Sequence, residues 1–140
     1  MTESEVQVGV VAYFDRRLYL EQDIDIPDEI GDIGETTRPF LCSVVSDQHA
    51  EWLALTSQQG KLYSRCEITG CWADGNDPVD DPCYISDARK ALQGPIAAFV
   101  RVAEQSEIPF KCGRPRLNSE GIRRMQAELA KWSGESETAA

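Results

Sequence analysis

The hydrophobic pattern opens with residues 6–14 (VQVGVVAYF), a β-branched and aromatic run, followed after the polar Asp15-Arg16-Arg17 by the short apolar Leu18-Tyr19-Leu20. Two such runs about a three-residue polar break predict a hairpin turning at Asp-Arg-Arg. Residues 40–45 (FLCSVV) and 51–57 (EWLALTS) flank a short polar connection and predict an antiparallel pair. Residues 61–68, after the turn at Gln58-Gln59-Gly60, add a third strand, so the three read as a meander. Further on, Cys83-Tyr84-Ile85 fits a short strand. Residues 86–92 fit one or two helical turns capped by Ser86, with Asp87 near the positive end. Residues 96–102 (IAAFVRV) fit strand or helix, and their β-branched and aromatic content favours strand.

The last element has the clearest period. Ile122, Met125, Leu129 and Trp132 recur at intervals of three, four and three, behind a cap at Asn118 or Ser119 and with Glu120 in the first turn. An amphipathic helix covering a core over 119–132 is expected, with Arg123, Arg124 and Lys131 on its other face. Residues 133–140 have nothing to bury and read as a disordered tail, which leaves 1–132 as a single globular domain. Two polar stretches interrupt the pattern. Residues 21–35 hold seven acids and no base around Pro27, Gly31 and Gly34, and residues 69–82 hold four acids among Gly and Pro, so both read as loops. The fold class that follows is α+β, a small curved antiparallel sheet or half-open barrel with the C-terminal amphipathic helix packed on it.

Composition changes this picture mainly through charge. The 140 residues are 41% hydrophobic and 27% charged, enough for one core, but the net charge is −10. Residues 1–38 carry ten acids against three bases and 39–110 ten against five, while 111–140, with four against six, form the one basic segment. Such a balance repels phosphate unless a local basic face overrides it. The acidic N-terminus and the lack of an apolar run of about 20 residues predict a cytoplasmic protein with no membrane partner. The odd count of five cysteines predicts reduced thiols.

Most catalytic and metal patterns do not fit. Cys66, Cys71, Cys83 and Cys112 lack the paired close spacing of a zinc site, and His49, the single histidine, falls at the expected 46–50 turn beside Glu51. The acidic run 74–81 puts Pro78 where a calcium loop needs a ligand. With no Gly-rich phosphate loop, nucleophile elbow or HExxH, no cofactor and no metal are expected.

One pattern carries a resemblance. Thr37-Arg38-Pro39-Phe40-Leu41-Cys42, a turn, and then Leu53-Ala54-Leu55-Thr56-Ser57-Gln58 resemble the PemK/MazF family of toxin endoribonucleases. The segment 113–120 (GRPRLNSE) before the last helix is similar to that family's basic stretch and closing helix. The resemblance implies an SH3-like barrel, a homodimer, and metal-independent cleavage of single-stranded RNA controlled by an antitoxin-like protein. It implies Arg38 as the residue stabilising charge on the scissile phosphate and Thr56 and Ser57 as the hydroxyls positioning it, with Arg65, Arg114 and Arg116 along the RNA. The roles are chemically apt, because a guanidinium fork matches phosphate oxygens and hydroxyls donate to them. A non-catalytic relative with the same barrel is the weaker form of this reading. The competing expectation, from charge alone, is an acidic protein-binding or inhibitor module that meets a basic partner or mimics nucleic acid.

Overall fold

The segments of strongest strand character form the longest strands. In a computed structural model that describes residues 1–19, 22–27, 37–57, 65–75, 77–78, 82–110 and 113–139, side chains at 19, 75 and 133–139 excepted, β2 (Thr37–Ser46) and β3 (His49–Thr56) form an antiparallel hairpin. They turn through Asp47-Gln48, with Gln48 at φ 61°. β1 (Val11–Asp15) pairs along the other side of β2, Val11 opposite Leu41 and Asp15 opposite Thr37.

The expected hairpin at Asp15-Arg16-Arg17 does not form. The Asp15 carboxylate instead accepts the Arg17 backbone N–H and its guanidinium, both at 2.9 Å. Capping of this kind turns the chain into α1 (Arg16–Tyr19) rather than a returning strand. The same device recurs at Asp87, which accepts the Arg89 N–H at 2.9 Å and its guanidinium at 3.0 Å. There the chain bends into a strand, and the helical turns expected over 86–92 are absent.

The far edge of β3 is shared. β6 (Ala91–Pro95) pairs with its first half, β5 (Tyr84–Ile85) with its last two residues, and β4 (Cys66–Glu67) lies outside β5. The expected three-strand meander is therefore corrected, because Tyr84–Ile85 occupies the edge that the 61–68 segment was to fill. Residues 61–64 lie outside the described part. The antiparallel sheet of six strands runs β1-β2-β3-β5-β4, with β6 off this path beside β3, and is open. Among the described residues three single bridges, Val10 to Arg116, Asp25 to Gln93 and Trp72 to Leu117, lie beside it.

Both faces of the sheet are covered, so its strands read as nearly continuous apolar runs. One face carries Phe14, Phe40, Trp52 and Leu92 against α2 (Ile96–Ser106). Phe14 lies at its centre, 5.0 Å edge-on to Trp52 and 5.4 Å from Phe40 and Phe99. Residues 96–102 are thus helix rather than strand. Their buried positions Ala98, Phe99, Val102 and Ala103 have helical spacing, and Pro95 precedes the first turn.

The other face carries Val11, Leu41, Leu53, Leu55 and Ile85 against Ile68, Trp72, Leu117 and α3 (Ser119–Ala139). Met125 is fully buried there, and Ile122, Leu129 and Trp132 pack at its margin. Asn118 caps α3, its side-chain oxygen accepting the Gly121 N–H at 2.9 Å. The helix continues past Trp132 into the segment whose composition suggests a tail.

Candidate functional site

The sheet end where β2 starts and β3 stops brings together three of the residues singled out by sequence, Arg38, Thr56 and Ser57. Arg38 is the second residue of β2, level with the end of β3, and its Nε donates to the Leu55 carbonyl at 3.2 Å. Thr56 and Ser57 follow directly, Thr56 half-buried and Ser57 exposed. Arg65 precedes β4, which lies two strands from β3, about 10 Å away across the sheet.

Arg114 has a different task from the one expected of it. Its guanidinium makes two hydrogen bonds to Glu107, at 2.6 and 2.8 Å, donates to the Val11 carbonyl at 3.0 Å, and lies 3.6 Å from Glu5. With side-chain exposures of 11% and 7%, Arg114 and Glu107 are an interior pair, and Arg114 also covers the Phe110 ring at 4.8 Å. Burial opposes the Arg114 charge, but Glu107 outweighs it and holds the pKa above its ordinary value. An RNA contact by Arg114 would have to break this arrangement. Arg116 is exposed and pairs with Asp74 at 3.5 Å.

The pattern extends to other cations. Arg17 pairs with Asp15, Arg89 with Asp87, Arg123 and Arg124 with Glu120, and Lys131 with Glu128. Hydrogen bonds from Arg123 and then Arg124 pull the Glu120 carboxyl down to about 2. By contrast Asp23, Asp25, Asp47, Asp77 and Glu104 are exposed and make no ion pair among the described residues. Among the described residues, seven cations thus face a carboxylate of the same chain, while these five carboxylates stand exposed outside any ion pair.

Two of the thiols are poor nucleophiles. Burial pushes Cys42 up to about 12 and Cys66 up to about 11, so both stay protonated near neutrality. Cys42, Cys66, Cys71 and Cys83 are reduced, and Cys112 lies outside the described residues. His49 is exposed at the hairpin. Of the acidic loop 21–35, residues 21 and 28–35 lie outside the described part, while Asp25 bridges to Gln93 beside β6.

Sequence reasoning missed a recess at the outer edge of β1. It has a volume of about 350 Å³ and is lined by Tyr13, Thr37, Ser106, Glu107, Ile108, Pro109 and Phe110. Its floor is an edge strand whose outward N–H groups are capped by side chains and one loop carbonyl. The Tyr13 N–H donates to Glu107 and the Asp15 N–H to Ser106 Oγ, each at 2.9 Å, and the Val11 N–H donates to the Pro115 carbonyl at 2.9 Å. The Tyr13 hydroxyl donates to the Pro78 carbonyl at 2.8 Å, and its ring lies 5.9 Å from Phe110. Ile108 stands at the lip, 82% exposed. The signal in the sequence was Ile108-Pro109-Phe110, an apolar tripeptide just past a helix end, too short to show any period.

Compared with family models, curated proteins and solved structures, the chain matches none. Among the described residues no helix is long and apolar enough to cross a membrane.

Proposed function

We propose that this chain is a non-enzymatic binding module that presents a negatively charged surface to a basic protein partner. The observation that carries the reading is the pairing of cations with the chain's own carboxylates. Arg17, Arg89, Arg114, Arg116, Arg123 and Arg124 each face an acid, on a chain of net charge −10. A surface arranged in this way repels phosphate and attracts cationic protein, with electrostatics governing encounter and choice of partner.

A second reading is favoured by one contact. Arg38 reaches the Leu55 carbonyl immediately before Thr56 and Ser57, the juxtaposition a PemK/MazF-like endoribonuclease acting on single-stranded RNA needs. The two readings divide on one experiment. Purified wild type incubated with single-stranded RNA should leave it intact, and Arg38→Ala should behave identically. Cleavage that falls about a hundredfold or more in Arg38→Ala would replace the binding module with the ribonuclease.

A further inference from the structure

The recess beside β1 has the character of a docking site rather than a small-molecule pocket. Pockets for small ligands combine apolar walls with a few converging polar groups that fix orientation. Here the polar side chains of Tyr13, Ser106 and Glu107 are already engaged, and among the lining side chains the Thr37 hydroxyl is left without a hydrogen bond to any described residue. Glu107 is held by Arg114 and the Tyr13 N–H, the Tyr13 hydroxyl by Pro78, and Ser106 Oγ by the Val102 carbonyl and the Asp15 N–H. An apolar side chain makes no polar demand and would fill the recess between Tyr13, Pro109 and Phe110. The same engaged groups close the β1 edge to an added strand. Ile108, 82% exposed at the lip, is left as a large apolar surface that only a body lying outside the recess could cover.

Charge selects the occupant. Behind Phe110, Glu5 and Glu107 flank the single guanidinium of Arg114, a group of two carboxylates to one cation. Asp77, next to the Pro78 that holds Tyr13, is exposed and outside any ion pair among the described residues. A second copy of the chain would bring a further −10 to the same place. Resting on the binding-module reading above, we propose that this recess takes a large apolar side chain from a basic peptide segment of the partner, with Ile108 packing on its stem and lysine or arginine neighbours facing Asp77 and Glu5.

The test uses the full chain against a displayed library of random dodecapeptides, followed by affinity measurement of the best binder. Ile108→Asp is the informative variant because its side chain is largely solvent-exposed, and Val45→Asp, at an exposed apolar position on the opposite end of β2, is the control. The expected result is selection of peptides combining Lys or Arg with one Leu, Phe or Trp. Their affinity should fall about tenfold or more in Ile108→Asp and stay unchanged in Val45→Asp. Basic peptides that bind both variants like wild type would overturn the recess as the site while leaving the basic-partner reading standing. Selection of acidic or neutral peptides, or of none, would overturn both.

Discussion

At the scale of single residues, Arg114 shows how far a residue type can mislead about its role. A basic stretch before a helix invites a phosphate, and Gly113-Arg114-Pro115-Arg116 offers two arginines. Yet Glu107, seven positions earlier, folds back to meet the first of them, and together they cap the edge of β1 through Tyr13 and Val11. Local spacing does not reveal such a pairing, because the partners meet only after α2 has ended and the chain has bulged through Ile108-Pro109-Phe110. The pair is nearly buried, so breaking it leaves an uncompensated interior charge. Arg114→Ala should therefore cost about 3–5 kcal/mol. The same substitution on a Glu107→Gln background should cost much less, since no stranded carboxylate remains. Denaturant unfolding of the two single variants and the double variant measures the coupling, and simple additivity would show that the pair does not hold the β1 edge.

At the scale of elements, α3 is the part most legible in the sequence. Its stripe of Ile122, Met125, Leu129 and Trp132 meets the core as the period requires, with Met125 fully buried between Leu117 and the sheet cluster. Met125→Ala should lower stability by about 2–5 kcal/mol, and more than Leu129→Ala, because Leu129 sits at the margin of the cluster. Equal denaturant midpoints for wild type and Met125→Ala would mean that α3 is an exposed appendage. α2 was less legible for a physical reason: Ile96, Val100 and Val102 have strand propensity, but tertiary packing of Ala98, Phe99, Val102 and Ala103 against Trp52 and Phe14 outweighs it. The two Asp-x-Arg turns were misread in opposite directions, 15–17 as a hairpin turn and 87–89 as a helix start. In both, a carboxylate captures the N–H and guanidinium two residues on, a bond that hydrophobic pattern does not encode. Of the candidate site, the meeting of Arg38 with the end of β3 followed from strand pairing. The recess did not, since its walls come from β1, the start of β2 and the segment after α2.

At the scale of the whole molecule, charge decides the account. A chain of −10 that also neutralises many of its own arginines is an unpromising surface for RNA and a natural one for a cationic protein. The exposed acids are distributed around the fold, Asp23 and Asp25 beside β6, Asp47 at the β2–β3 turn and Asp77 near the recess, so attraction would reach the proposed partner from several directions while the recess would fix its register. The measurement that meets this claim most directly is calorimetric titration of wild type with a lysine-rich dodecapeptide bearing a central Leu-Phe pair, and with its glutamate-rich twin, at low and high salt. The account predicts binding of the lysine peptide alone, weakening as salt screens the attraction. Equal binding of the glutamate twin, or an affinity for the lysine peptide that salt leaves unchanged, would contradict it.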